Sequence, residues 1–443
     1  MNTEIFDRAL DGGTILSADA QNSIIEDGLI LIREGRIAYV GSKKMAPAYQ
    51  ATQTIDTHGK LICPGWINTH SHAPMTLFRG LADDLPLQQW LEEHIWPAEK
   101  AYINPENVKI GARLAILEMI AGGTTTFNDM YFFEDQVAQA AAELGMRAVI
   151  GEGILMFPTP SAQTPTEAMI LTKHLAETWR GHALVRISVA PHSPYTLSSA
   201  QLKACDSLAR ELGLLLHIHV SETRQEVAQS VAQYGQTPVE RLLSLGVLGP
   251  HVLAAHCVHL SENDMRIMAN QGSAVAHCPE SNLKLGSGIA AIPAMIAAGI
   301  TVAAGTDGAA SNNDLDLLEE LHTGSKIQKG LHEDPAILSA QDWFRIGTIE
   351  GAKALGIEKE TGSIEIGKLA DLQIYDLHAP HATPMFSPMS HLLYSLQATD
   401  LEWVIIHGKP VWKQGKLLTG NQEEIIEEAR QIGKQIQSER FVP

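Results

Sequence analysis

"KLICPGWINTHSHAPM", residues 60–75, is an apolar run that ends in two histidines one residue apart, His70 and His72. Residues 61–70 read as a buried strand, because a short continuous apolar segment closing on polar residues has that pattern. Side chains at i and i+2 of a strand point to the same face. The two imidazoles therefore share one face at the strand's end. Such a pair is either half of a metal site or two ordinary polar residues, and the rest of the chain decides which.

Seven further runs resemble the first: 123–130 (GTTTFNDM), 147–154 (RAVIGEGI), 184–192 (LVRISVAPH), 214–220 (LLLHIHV), 251–257 (HVLAAHC), 273–278 (SAVAHC) and 300–307 (ITVAAGTD). Amphipathic stretches such as VKIGARLAILEMIAGG and FEDQVAQAAAELG separate them, several closing on the glycine expected just past a helix. Strand–helix alternation repeated eight times predicts an α/β fold, a parallel (β/α)8 TIM barrel. A doubly wound open sheet is the alternative; no G-x-G-x-x-G follows the first strand to mark a dinucleotide site. Both chain ends read as short strands with turns: DGLILIREGRIAYVG near the start, GSIEIGKLADLQIYD and WVIIHGKPVWKQGKL near the end. The expectation is a small β-sandwich domain from residues 1–60 plus 363–443, with a catalytic barrel over 61–362.

The 443 residues carry 32 Lys plus Arg against 51 Asp plus Glu, a formal net charge of −19. That balance argues against nucleic-acid or anionic-membrane partners. No apolar run approaches the about 18 residues of a membrane span, and the N-terminal residues show no secretion signal. Cys63, Cys205, Cys257 and Cys278 are scattered without C-x-x-C spacing, as in a reduced, cytoplasmic protein.

Active sites of such barrels gather at the C-terminal ends of the strands. Those ends carry His70 and His72, then His192, then His217, His219 and Glu222, then His256, His277 and finally Asp307. Joined to His219 and Asp307, the His70-x-His72 pair reads as a nitrogen- and oxygen-rich ligand set. It suits one divalent ion, Zn2+ first, with Fe2+, Mn2+ or Co2+ also compatible. His217 and His219 face the same way; His219, nearer the strand's end, is the preferred ligand, and His217 is expected one layer deeper. His259 and His277 stay open between structural and functional roles. Glu152, in the third run, is a further acidic candidate. No lysine stands in the third or fourth run to bridge a second ion, so a single metal is expected.

The motifs PGWINTHSHAPMTLFRGLADDLPLQQWL, LEMIAGGTTTFNDMY, APHSPYT, HVSET, AAHCVHL, CPESNLKLGSGIAAIP and GTDGAASNNDLDLLEE span residues 64–320. Together they resemble the amidohydrolase superfamily, in the 5-methylthioadenosine/S-adenosylhomocysteine deaminase branch that also contains triazine hydrolases. The resemblance implies His70, His72, His219 and Asp307 as metal ligands and Glu222 as proton shuttle. It implies His256 as the residue that polarises the attacking water. It places Glu99 at the ribose hydroxyls, His192 at the purine ring and Trp90 on the loop over the substrate. The implied reaction is hydrolytic deamination of an adenine nucleoside at C6, a step of purine salvage. Glu222 would take a proton from water and deliver it to N1, while Asp307 orients that water and His256 stabilises the developing oxygen charge. Relatives of this kind usually self-associate, so a homodimer or homotetramer is expected.

Glu222 favours an amine leaving group, and Glu99 suits a vicinal diol. Aminohydrolysis of another heterocycle (triazine, guanine or cytosine) is the alternative, and a non-catalytic scaffold of the same fold a remote one. Relatives that accept a homocysteine tail use arginines after the third strand, whereas residues 148–172 contain no Lys or Arg. 5'-Methylthioadenosine, adenosine or 5'-deoxyadenosine is therefore expected to be preferred over S-adenosylhomocysteine. Glu152 stands where such an arginine would, and Met156, Phe157 and Pro158 would suit a thioether or methyl group.

Overall fold

The computed structural model describes residues 4–440; the expected terminal domain's residues 1–3 and 441–443 lie outside them. Eight parallel strands form one sheet in strict chain order. They are β1 (Trp66–Ser71), β2 (Thr124–Tyr131), β3 (Arg147–Ile154), β4 (Val185–Pro191), β5 (Leu215–Val220), β6 (Val252–His256), β7 (Ala274–His277) and β8 (Val302–Ala304). β2 and β3 are buried at every position, as expected of parallel strands covered on both faces. The sheet closes on itself. Ser71 bridges Asp307 in parallel, the Asp307 N–H donates to the His70 carbonyl at 3.0 Å, and the Thr69 hydroxyl donates to the Ala304 carbonyl at 2.8 Å. This is the (β/α)8 barrel, and closure sets Asp307 beside the His70–His72 segment.

The intervening helices start and stop where local chemistry dictates. Ser198 with Gln201, Thr237 with Glu240 and Ser261 with Asp264 form capping boxes, satisfying N–H groups that the first turn leaves unpaired. Gly145, Gly213 and Gly272 end helices in the left-handed conformation, as their sequence positions suggested. Among the described residues no helix is long and apolar enough to cross a membrane.

Strands from both chain ends form a second, mostly antiparallel sheet of nine strands. Lys60–Pro64 is its hinge, pairing in parallel with Glu4–Leu16 and antiparallel with Leu372–Asp376. The opening run is therefore two strands, not one. Residues 60–64 belong to the terminal sheet and residues 66–71 to the barrel, with the break at Gly65. A Cβ there would stand 2.0 Å from Thr125 Cγ2, so only glycine permits the close pass. The expected strand–turn–strand at 362–376 contains a single strand, Leu372–Asp376. Ile364 and Gly367 instead donate to the Ser17 and Ile37 carbonyls one at a time, which makes no ladder.

By contacts the chain divides into two compact units, residues 4–67, 118–126 and 316–420, and residues 68–117, 127–315 and 421–440. The first holds the terminal sheet, its core built on Leu10, Ile30, Ile32, Ile62, Ile374 and Ile405. The second holds every residue of the site described next.

Candidate metal centre and substrate cavity

β1 ends with His70 fully buried and His72 half-buried. β5 brings His219, and the turn after β8 brings Asp307. The Nε2 atoms of His70 and His72 lie 3.3 and 3.2 Å from Asp307 Oδ1, and His219 Nε2 lies 3.3 Å from His72 Nε2. A tetrahedral ion with ligand bonds of 2.0–2.1 Å holds its donors about 3.3 Å apart. The separations therefore match a small divalent cation, and so does the chemistry of the set. The His70 Nε2 atom is buried with no hydrogen-bond partner, a donor atom aimed at an ion. Two donor groups that share His70, His70–His72–His219 and His70–His256–Asp307, each have their donor atoms within 4.8 Å of one another. Glu152 belongs to neither.

The outer nitrogens of the ligands are tied down. His72 Nδ1–H donates to the Met130 carbonyl at 2.5 Å and His219 Nδ1–H to the His192 carbonyl at 2.6 Å. Both bonds fix the tautomer that leaves Nε2 as the lone-pair donor. His70 Nδ1 lies 2.8 Å from Nε2 of His217, so His217 is the deeper buttress that its position suggested. The Ser281 and Ser311 hydroxyls donate to Asp307 Oδ2 at 2.6 and 2.9 Å, leaving Oδ1 toward the histidines. Asp129 grips the ligand segment on both sides of His72, accepting from Ser71 Oγ and from the Ala73 N–H, each at 2.7 Å.

Burial and one another's charge hold these histidines neutral. Burial pushes His70 down to about 4 against the pull of Asp307, and takes His192 down to about 3, with His72 and His70 adding to it. His219 falls well below its usual range for the same reasons. Neutral imidazole is the form that binds a metal. His72 is the exception: burial opposes it, but the Asp307 carboxylate outweighs burial and lifts it to about 9. Asp307 resists its own burial through the His70 and His72 contacts and sits well below the carboxylate range.

A cavity opens above the donor cluster. Trp90, Glu99, His192, Glu222 and His256 all line it, together with Met75, Leu91, Trp96, Tyr131, Phe132 and Leu155. Trp90 sits on a helical turn, Trp90–Ile95, rather than on an irregular loop. Glu99, on the next helical segment, is buried, and burial pushes its carboxyl up to about 7 while the facing Tyr131 hydroxyl and His72 pull it down. Glu222 follows β5; burial raises its pKa and His256 opposes the rise. Its Oε2 stands 3.9 Å from His256 Nε2. A buried carboxyl group raised in this way is suited to both taking and giving a proton during a reaction.

Several residues lie elsewhere than the sequence suggested. Glu152 is buried away from the cavity, bonded to the Ser161 hydroxyl and to the Glu134 N–H; it presents no charge to a ligand. Met156 and Phe157 line a wider outer groove that shares Leu87, Trp96, Tyr195, Glu222 and Leu285 with the cavity. His277 is buried, pushed down to about 3 by desolvation, and does not line the cavity. His259 donates from Nε2 to the Ser287 carbonyl at 2.7 Å. Asp129, Ser281, Asn282, Ser287 and Ser311 carry roles that sequence reasoning missed. All lie inside motifs already singled out, but hydroxyls and amides are too common in turns to stand out without their partners' positions.

A barrel with a His-x-His strand, a third histidine on β5 and an aspartate after β8 defines a metal-dependent hydrolase. The amidohydrolase family model matches residues 61–411, and the chain belongs to that family. It is 44% identical over 437 residues to a 5-methylthioadenosine/S-adenosylhomocysteine deaminase of Syntrophobacter fumaroxidans, covering 98% of this chain and 100% of that protein. A 5'-deoxyadenosine deaminase of Methanothermobacter thermautotrophicus is also 44% identical, over 91% of this chain and 92% of its own. The crystal structure of an adenosine deaminase from Xanthomonas campestris with bound zinc superposes with a TM-score of 0.97 at 39% identity, covering 99% of this chain and 100% of that one.

Proposed function

We propose that this chain is a metal-dependent hydrolase that deaminates adenine nucleosides at C6, releasing ammonia and the inosine analogue. One observation carries the reading: a single cavity is lined by His72, His219 and Asp307, with His70 buried behind them against Asp307, and by two buried carboxylates, Glu222 and Glu99. Deamination needs the donor cluster and Glu222, and a ribose diol gives Glu99 a ligand. The names of relatives at 44% identity support the same substrate class.

His70, His72, His219 and Asp307 would hold the ion, which when bound polarises water and brings its pKa toward 7. Glu222 accepts the proton of the attacking water and delivers it to N1 of the purine. N1 protonation draws electron density from C6, where hydroxide adds; Glu222 or Asp307 then passes the new hydroxyl's proton to the amino group, which leaves as ammonia as the C6 carbonyl forms. His256, its Nδ1 2.9 Å from the side-chain amide of Asn282, would offer an Nε2–H to the oxygen on which negative charge develops. His192 faces the ring, Glu99 accepts from the ribose hydroxyls, and Trp90 covers the base. Among the described residues the cavity lining contains no Lys or Arg, which favours the neutral 5' groups of 5'-methylthioadenosine, adenosine and 5'-deoxyadenosine. The outer groove does include Arg224. One zinc ion, a 61–362 catalytic barrel, cytoplasmic placement and a homo-oligomer complete the reading. Four free, buried cysteines support a reducing compartment.

Glu222→Gln tests it. The variant is expected to bind zinc in wild-type amount and to lose about 100-fold or more in ammonia release, the scale of one general acid–base group. Full activity would refute the assignment.

A further inference from the structure

The geometry points to Ser287 as a positioning residue for Glu222, presented by a turn that His259 and Asn282 hold in place. This rests on Glu222 being the proton-handling group. The Ser287 hydroxyl donates to Glu222 Oε1 at 3.2 Å, and each residue is only 7% exposed. The main chain of Glu222 is fixed separately. Glu226 accepts from the Ser221 N–H at 2.9 Å and from the Glu222 N–H at 2.8 Å through its two oxygens. That clamp sets where the side chain starts but not where the carboxylate points. Ser287 supplies the missing constraint.

The turn carrying Ser287 is itself over-determined. The Ser287 and Gly288 N–H groups both donate to the Asn282 carbonyl, at 2.9 and 3.4 Å. The Ser287 carbonyl accepts from His259 Nε2 at 2.7 Å. Gly288 has φ +126°, and a Cβ there would stand 3.1 Å from Val258 Cγ1 and 3.2 Å from His259 Cε1. The turn closes on the imidazole because that position has no side chain. Asn282 also holds His256 through its side chain. One short segment, 282–288, thus holds both Glu222, through a hydroxyl, and His256, through an amide. His259, left open by the sequence, gains a task that needs no contact with substrate.

A group that only stabilises the fold would change melting temperature or metal content, not turnover alone. The test therefore measures kcat, KM, bound zinc and melting temperature for Ser287→Ala, Ser287→Thr, His259→Ala and His259→Gln, with Glu222→Gln as control. Losing one charge-assisted hydrogen bond lowers kcat about tenfold in Ser287→Ala, with KM within about twofold and zinc unchanged. Ser287→Thr restores most of it. His259→Ala falls to a similar level, and His259→Gln, which keeps an N–H for the Ser287 carbonyl, recovers. If Ser287→Ala does not fold, the His259 pair decides alone, since neither variant touches Glu222. Wild-type kcat in Ser287→Ala beside an inactive Glu222→Gln overturns this inference and leaves the Glu222 reading standing. Full turnover by Glu222→Gln overturns both.

Discussion

Replacing Glu99 by Gln should cost this enzyme its hold on ribose and little else. The carboxyl is 6% exposed and lines the cavity, where burial has pushed its pKa up to about 7. A hydrogen bond to an ionised acceptor contributes about 1.5–3 kcal/mol. Losing one therefore lowers kcat/KM for adenosine about 10- to 150-fold. 2',3'-Dideoxyadenosine offers no diol, so its kcat/KM should change by less than about threefold on the same scale. The raised pKa adds a second signature. Below pH 7 the carboxyl holds a proton and is a poorer acceptor, so wild-type preference for adenosine over the dideoxy nucleoside falls as pH drops through about 7. Titration of Glu222 cancels in that ratio, because both substrates need it. In Glu99→Gln the ratio should be flat with pH. The assay is ultraviolet detection of deamination with both nucleosides across that range. Equal losses on both substrates, or a pH-dependent ratio that survives the substitution, would refute the reasoning.

Stripping the metal with a chelator should abolish turnover and lower the melting temperature. Saturation at 100 times Kd is worth about 2.7 kcal/mol of stability, so an unchanged melt on re-adding zinc would count against the four-donor site. Gly305→Ala places a Cβ 2.8 Å from both Cβ and N of His70; it should cost about 1–3 kcal/mol in denaturant unfolding and weaken zinc binding, because it pushes a ligand strand. 5'-Methylthioadenosine should exceed S-adenosylhomocysteine in kcat/KM by about tenfold or more, the scale of one unmet charge contact. Equal values that collapse in Arg224→Ala would place the anionic tail in the outer groove.

The barrel could be read from the sequence because each of its strands is a short apolar run ending on a polar residue, and chain order is spatial order. The candidate donor set was legible for the same reason: strand ends of a barrel converge, and His70, His72, His219 and Asp307 do come together. What could not be read was any feature decided by a partner distant in sequence. Residues 60–64 and 66–71 read as one run, and only pairing with Glu4–Leu16 and Leu372–Asp376 assigns the first to another sheet. Pro64-Gly65 was the available punctuation. Glu152 has the composition of a site residue, yet Ser161 and the Glu134 N–H claim it. Ser287 has the composition of a loop residue, yet it meets Glu222 across 65 positions of chain.

The most direct measurement is ammonia release by the zinc-loaded protein from 5'-methylthioadenosine, with adenosine, guanine and an aminotriazine in parallel. The account predicts one ammonia per nucleoside consumed, formation of the inosine analogue, and no comparable turnover of guanine or the triazine. Zinc bound at the four-donor site with no ammonia from any adenine nucleoside would contradict it.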